Sequence, residues 1–186
     1  MQKIFGKIQD LLEKKDKIII AIEGRSASGK SRVADFIKSK IDCNVFCTDD
    51  FCLSDKQREN KDRGFANIDT SRFRNEVIAN LQRDGSFDYD KFNCKRNVYS
   101  KYVVVEQSPV NIVEGVYSCC EQLRDHYDLK IFLQVDGITQ KTRLAQAEPF
   151  ERMDEFLAWE EDYFERQNPQ DVCDIVCTVT NLLPQE

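Results

Sequence analysis

Residues 17 to 31 read KIIIAIEGRSASGKS, and few folds can carry such a stretch. Gly24-Arg25-Ser26-Ala27-Ser28-Gly29-Lys30-Ser31 fits the phosphate-binding pattern G-x-x-x-x-G-K-[ST]. Ile18 to Ile22 form an apolar run with the length of a strand buried on both faces. After the loop, Val33, Ala34 and Ile37 recur at helical spacing. The order strand, glycine-containing loop, helix is the context in which the pattern binds phosphate. Glycine lets a phosphate chain approach the backbone closely, and the N–H groups at the helix start converge on its oxygens. The expected nucleotide-binding residues are Gly24, Ser26, Ala27, Ser28, Gly29, Lys30 and Ser31. Lys30 is expected to bridge the β- and γ-phosphates, and the Ser31 hydroxyl to ligate Mg²⁺.

The 186 residues suffice for a single domain with a real core. A net charge of −6 argues against a general nucleic-acid binder, which needs a basic face. No apolar run reaches the ~20 residues of a membrane span, and MQKIFGKIQDLLEKKDK lacks the unbroken apolar stretch of a signal peptide. A cytoplasmic protein without membrane or nucleic-acid partners is therefore expected, and a homo-oligomer is left open. Eight cysteines are many for such a chain. Without a signal peptide a disulfide framework is not expected, and none of the spacings matches the paired C-x2-C of a zinc site. Most cysteines read as small buried hydrophobes.

Ile4, Phe5, Ile8, Leu11 and Leu12 make an amphipathic stripe over residues 3 to 14. Residues 43 to 48 read as a second strand, and the polar stretch 52 to 69, with Lys56, Arg58, Lys61 and Arg63 among acids, as a loop or flap. Thr70 or Ser71 caps a helix carrying Phe73, Val77, Ile78 and Leu81. Phe87, Tyr89 and Phe92 alternate ahead of the β-branched run Tyr102 to Val105, which suggests a hairpin. Further strands are expected at 110–113, 129–135 and 171–178. Helices are expected at 119–126, at 138–147 and, after the breaker Pro149, at 150–166, where Trp159 reads as a packing residue. Strands alternating with helices imply an α/β fold: a three-layer nucleoside triphosphate hydrolase or kinase architecture with a five-stranded parallel sheet.

Ligands in such folds bind beyond the carboxyl ends of the strands. The phosphate loop, Thr48-Asp49-Asp50, Glu114 and Asp136 each follow a strand, so they should share one rim. His126, the lone histidine, precedes a strand and should lie at the opposite rim. Any general base is then a carboxylate. Asp49 or Asp50 suits an acceptor hydroxyl, and Glu114 suits Mg²⁺.

With GRSASGKS, TDDF (48–51), NID (67–69), YD (89–90), IVEGVYS (112–118), YDLKIFLQVD (127–136) and FLAWEEDYFERQ (156–167), the chain resembles the uridine kinase/phosphoribulokinase group of P-loop kinases from about residue 17 to 178. The resemblance implies ATP and Mg²⁺ as cofactors and a nucleoside-type acceptor such as uridine or cytidine. It implies that Asp49 activates the acceptor hydroxyl and shares the metal with Ser31 and Glu114. It further implies that Asp69 holds ribose hydroxyls, that Tyr89 lies against the acceptor base, and that Arg143, in a lid spanning 137–152, clamps the transferring phosphate.

Four positions depart from that pattern. Ala147 stands where the lid carries a second arginine, with Arg152 as a substitute in reach. Cys94 replaces a histidine, Cys52 a tyrosine, and Cys119-Cys120 a His-Pro pair. These departures touch acceptor recognition and the lid and spare the phosphate loop. The leading expectation is an ATP-dependent nucleoside kinase. A kinase for another hydroxylated metabolite and a nucleotide-binding regulatory protein are the alternatives. A motor or transporter ATPase fits poorly in so short a chain.

Overall fold

A computed structural model of the protein describes residues 1–59, 67–94, 96–147 and 152–182. Lys61, Arg63, Pro149 and parts of the expected flap and lid lie outside them. Five parallel strands form the central sheet: β1 (Ile18–Glu23), β2 (Asn44–Cys47), β5 (Val110–Glu114), β6 (Leu129–Gln134) and β7 (Ile175–Thr178). Their spatial order is β2-β5-β1-β6-β7. Two further strands, β3 (Phe87–Asn93) and β4 (Val98–Val105), pair antiparallel as a separate hairpin.

All six residues of β1 are buried, because the strand is covered on both faces. Alternation divides them between two cores. Ile18, Ile20 and Ile22 pack with Ile4 and Ile8 of α1 (Gln2–Leu12) and with Val33, Ala34 and Ile37 of α2 (Lys30–Lys38). Ile19 and Ala21 face the other core. There they meet Phe46, Phe51 and the helical run from α4 (Thr70–Phe73) through a π turn to α5 (Ala79–Leu81). Tyr163 and Phe164 of α7 (Met153–Gln167) close that face. The hairpin joins the same core through Tyr89, whose ring stacks on Phe51 at 5.2 Å.

Three local expectations change. Residues 119–126 form turns and a single 3-10 turn (Arg124–His126) rather than an α-helix. Local turn bonds hold the segment, including Leu123 N–H to Cys120 O at 2.9 Å, and the Cys119 and Glu121 N–H groups are drawn off to the Glu23 and Gln167 side chains. The last strand begins only at Ile175, because Pro169 starts a 3-10 turn that ends at Val172. The stretch after Cys52 is not wholly a polar loop. Leu53 and Ile68 are buried, Cys52 bridges Ile68, and Ser54 caps a short helix, α3 (Asp55–Arg58). The remaining helices are α6 (Gly137–Gln146) and α8 (Val179–Leu182). Among the described residues no helix is long and apolar enough to cross a membrane.

Ile20 is fully buried between both neighbouring strands and the α1–α2 layer. Ile20→Ala should cost roughly 2–5 kcal/mol, the range for truncating a core isoleucine. Urea denaturation measures it, and a loss well under 1 kcal/mol would mean this core is not close-packed.

Candidate active site

The sheet order decides what meets the phosphate loop. β5 lies between β1 and β2, with Glu114 opposite Ile22 on one side and Cys47 on the other. Glu114 therefore stands between the loop that follows β1 and the acid pair that follows β2. Its Oε1 accepts a hydrogen bond from the Ser31 hydroxyl at 3.0 Å.

Backbone shape sets the loop. Gly24 and Gly29 have φ of 151° and 97°, and Ala27 sits at 61°. A Cβ at Gly24 would lie 2.5 Å from the Leu133 carbonyl oxygen, so no other residue fits there. Gly29 caps α2, whose first turn carries Lys30 and Ser31. Lys30 is nearly buried, and its Nζ donates to the carbonyl oxygens of Gly24 (2.8 Å) and Arg25 (3.0 Å). Arg143 of α6 donates to the Ala27 carbonyl at 2.8 Å. Ala27, Gly29, Lys30, Ser31, Arg32, Arg143 and Val179 line a cavity of about 360 Å³ beside the loop.

A second cavity, of about 500 Å³, joins the loop to the acids. Ser26, Lys30, Ser31, Asp49, Asp50 and Glu114 share it, with Phe92, Cys94, Tyr117, Met153 and Phe156 on its far wall. The two neighbouring acids differ sharply. Asp50 pairs with Lys91 at 2.6 Å and accepts from the Tyr89 hydroxyl at 3.4 Å. No hydrogen bond or ion pair engages the Asp49 carboxylate among the described residues. Asp49 is exposed to solvent where it lines the cleft. Protein packed around the cleft still pushes its pKa above the usual carboxylate range; Lys30 opposes the shift, and Glu114 and Asp50 reinforce it.

The donor set fits a nucleotide with Mg²⁺. The loop presents N–H groups, with two cationic side chains beside them, and Ser28 Oγ inside it is buried with no partner among the described residues. Among the described residues no cluster of three or more His, Cys, Asp or Glu suggests a metal cage. A hydroxyl plus one or two carboxylates is nevertheless the sparse set that Mg²⁺ uses beside phosphates.

Other expected residues lie elsewhere. Asp69 caps α4, accepting from Arg72 N–H at 2.9 Å and from Gln57 Nε2 at 2.8 Å. Tyr89 is buried in the core. Neither is among the described residues that line the cleft. Asp136 caps α6 by accepting from Thr139 N–H at 2.9 Å; the Thr139 hydroxyl and then this N–H hold its carboxyl below the usual range. His126 lies with Lys15, Lys17 and Asp128 at the opposite rim. Arg152, the substitute considered for the arginine absent at Ala147, pairs with Asp55 (2.5 Å) and Glu155 (2.7 Å) and stacks over Trp159.

Two buried carboxylates were not foreseen. Glu160 of α7 accepts from the Ser26 N–H at 3.0 Å and the Ser26 hydroxyl at 2.5 Å, tying the helix to the phosphate loop. Its signal was visible, since Glu160 stands four residues from both Phe156 and Phe164, on the apolar stripe of that helix. Glu23, the last residue of β1, is fully buried under the loop. Its oxygens accept from Gly24 N–H (2.9 Å), Cys119 N–H (2.8 Å), the Tyr163 hydroxyl (2.9 Å) and the Ser118 hydroxyl (3.4 Å). Burial lifts its pKa to about 7, with the Cys119 and Gly24 N–H groups, Lys30 and Tyr163 pulling it down. The cysteine expectation is also corrected: Cys52 and Cys94 form a disulfide, while Cys43, Cys119 and Cys120 are buried thiols.

Glu23 gives stability a pH dependence. From about pH 4.5 to about 7 the unfolded chain ionises this group while the folded chain keeps the proton. Its contribution therefore falls as pH rises, by on the order of 1 kcal/mol per pH unit, and levels off above that window. Urea titrations from pH 4.5 to 8 should show a shallower slope for Glu23→Gln than for the wild type. Equal slopes would assign the titration to another group.

No family model matches the sequence. Uridine kinases of two Ureaplasma parvum serovar 3 strains are each 28% identical to the chain over 131 residues. Those alignments cover 64% of this chain and 63% of each relative, so the chain matches less than two thirds of the length of these curated proteins. Among solved structures, one described as a possible uridine kinase from Bacillus stearothermophilus superposes with a TM-score of 0.68 at 17% identity. It covers 94% of this chain and 99% of that one. The YGR205w protein superposes with a TM-score of 0.61 at 13% identity, covering 94% and 89%. The chain is thus similar to these uridine kinases over 131 residues and shares the α/β fold of the two solved structures.

Proposed function

We propose that the protein is an ATP-dependent phosphotransferase acting on a hydroxyl of a small, nucleoside-type acceptor. The observation that carries this reading is the Asp49 carboxylate, which has no partner among the described residues and lines a cleft shared with Lys30, Ser31 and Glu114. Asp49 accepts the proton of the acceptor hydroxyl. Its place in one cleft with Lys30, Ser31 and Glu114 supports this role. Lys30 and Arg143 counter the negative charge on the transferring phosphoryl oxygens. Lys30 leaves the Gly24 and Arg25 carbonyls to do so. Ser31 and Glu114, with Asp49 beside them, would hold Mg²⁺, which when bound neutralises phosphate charge and aligns the phosphates. Glu160 and Glu23 hold the loop and α7 in register, which keeps the reacting groups at bonding distance.

The placement of Asp69 and Tyr89 favours the alternative acceptor: a hydroxylated metabolite other than a pyrimidine nucleoside. The two groups expected to read ribose and base are occupied in a helix cap and in the core.

ATP consumption with Mg²⁺ across nucleosides and other hydroxylated metabolites tests both. Asp49→Asn should lower kcat by about 100-fold or more for the accepted compound and leave nucleotide Kd within a few-fold. Lys30→Ala should weaken nucleotide binding and abolish transfer. Undiminished turnover in Asp49→Asn would remove Asp49 as the proton acceptor. A wild-type protein that binds ATP and phosphorylates nothing would favour a regulatory role.

A further inference from the structure

The far wall of the cleft carries chemistry that phosphoryl transfer does not use. Cys52 follows directly on the Thr48–Phe51 turn that bears Asp49, and Cys94 ends the hairpin strand β3. They are 42 residues apart in sequence, yet their Cα atoms are 5.8 Å apart, within the range that a disulfide spans. Both line the same cavity as Asp49, Lys30 and Glu114. Both sulfurs also lie within reach of the Asp49 carbonyl oxygen, at 3.1 Å for Cys52 and 3.4 Å for Cys94. The pair therefore sits against the backbone of the proposed base.

We propose that Cys52 and Cys94 form a reversible thiol–disulfide exchange site that reacts with low-molecular-weight disulfides and thiols and sets the rigidity of the acceptor wall. The regulatory part rests on the phosphotransferase reading; the exchange chemistry does not. Access decides which sulfur reacts. Cys52 is almost fully buried, whereas Cys94 is only half-buried and opens onto the cleft. On oxidation, the Cys94 thiolate attacks a small disulfide RSSR, forming a Cys94–S–S–R bond and releasing RS⁻. The Cys52 thiolate then attacks the Cys94 sulfur and expels a second RS⁻. The protein loses two electrons and two protons, and one RSSR becomes two thiols. Reduction runs the same steps in reverse, starting from attack of a small thiolate on Cys94.

Cys52 begins the segment that leads into α3. Between residues 52–59 and the hairpin, the described hydrogen bond besides the disulfide is Asp55 N–H to Asn97 Oδ1 at 3.0 Å; the other described bonds of the segment run to Asn67, Asp69 and Arg152. Closing the disulfide fixes this segment to the hairpin before any acceptor arrives. Less ordering is then left for binding to supply, so the bridged form binds acceptor more tightly. The phosphate loop lies on the other side of the cleft, and its affinity for nucleotide does not change. Cys119 and Cys173, with sulfurs 3.9 Å apart, lie away from the cleft and serve as an internal comparison.

The test uses the wild-type chain together with Cys52→Ser, Cys94→Ser and Cys119→Ser, each equilibrated in oxidised glutathione or in dithiothreitol. After alkylation, peptide mapping should recover a Cys52–Cys94 linked peptide from the oxidised wild type and from Cys119→Ser, and two alkylated thiols after reduction. Equal alkylation of both cysteines in the two buffers would refute the site, whatever the protein phosphorylates. Hydrogen exchange over residues 52–59 and 87–94 should be slower in the oxidised wild type and indifferent to buffer in Cys94→Ser; unchanged exchange overturns the rigidity claim without needing an acceptor. For an accepted compound, KM should be about 3- to 10-fold lower in the bridged form with nucleotide Kd unchanged, and the difference should vanish in both cleft variants. An equal KM in the two forms would refute control of the acceptor by the bridge.

Discussion

One row across the sheet organises this protein. Ile22 of β1, Glu114 of β5 and Cys47 of β2 stand side by side in parallel register. Each strand ends within two residues of that row, so each releases its loop at the same height. The phosphate loop, Glu114 and the Asp49–Asp50 turn therefore open into one cavity, although they lie far apart in the chain. A parallel sheet imposes this geometry, because all its carboxyl ends fall on one edge. Shifting the β5 register by one residue would turn Glu114 to the other face and leave Ser31 without its acceptor.

Beneath that edge Glu23 and Glu160 are buried, which is costly unless each is well hydrogen-bonded. Glu23 meets four donors and Glu160 three, and both link the phosphate loop to α7. Gln140 of α6 supplies the third donor to Glu160, at 3.2 Å. A single pair of acids thus couples the loop, α6 and α7. The loop's shape depends on helices distant in sequence as well as on its own glycines.

The two halves of the cleft differ in how readable they were. The phosphate side rests on local chemistry: Gly24 and Gly29 meet a steric demand, and Lys30 and Ser31 follow at fixed spacing on one helical turn. The acceptor side rests on long-range packing. Asp69 and Tyr89 look available in the sequence, but Asp69 satisfies the open N–H groups of α4, and Tyr89 is drawn under Phe51 and Phe46 by aromatic burial. Local pattern cannot report that competition, since the competing partners come from other segments.

The sequence by itself determined the α/β class, the five parallel strands and the phosphate loop, because apolar runs, helical spacing and glycine sterics are local properties. It also put Asp49 and Glu114 at strand ends. Only the tertiary structure paired Asp50 with Lys91 and left the Asp49 carboxylate without a partner among the described residues. It alone ordered the strands, buried Glu23 and Glu160, and joined Cys52 to Cys94. Each of these depends on which distant segments come within a few ångströms of one another, and that is set by the packing of the whole core.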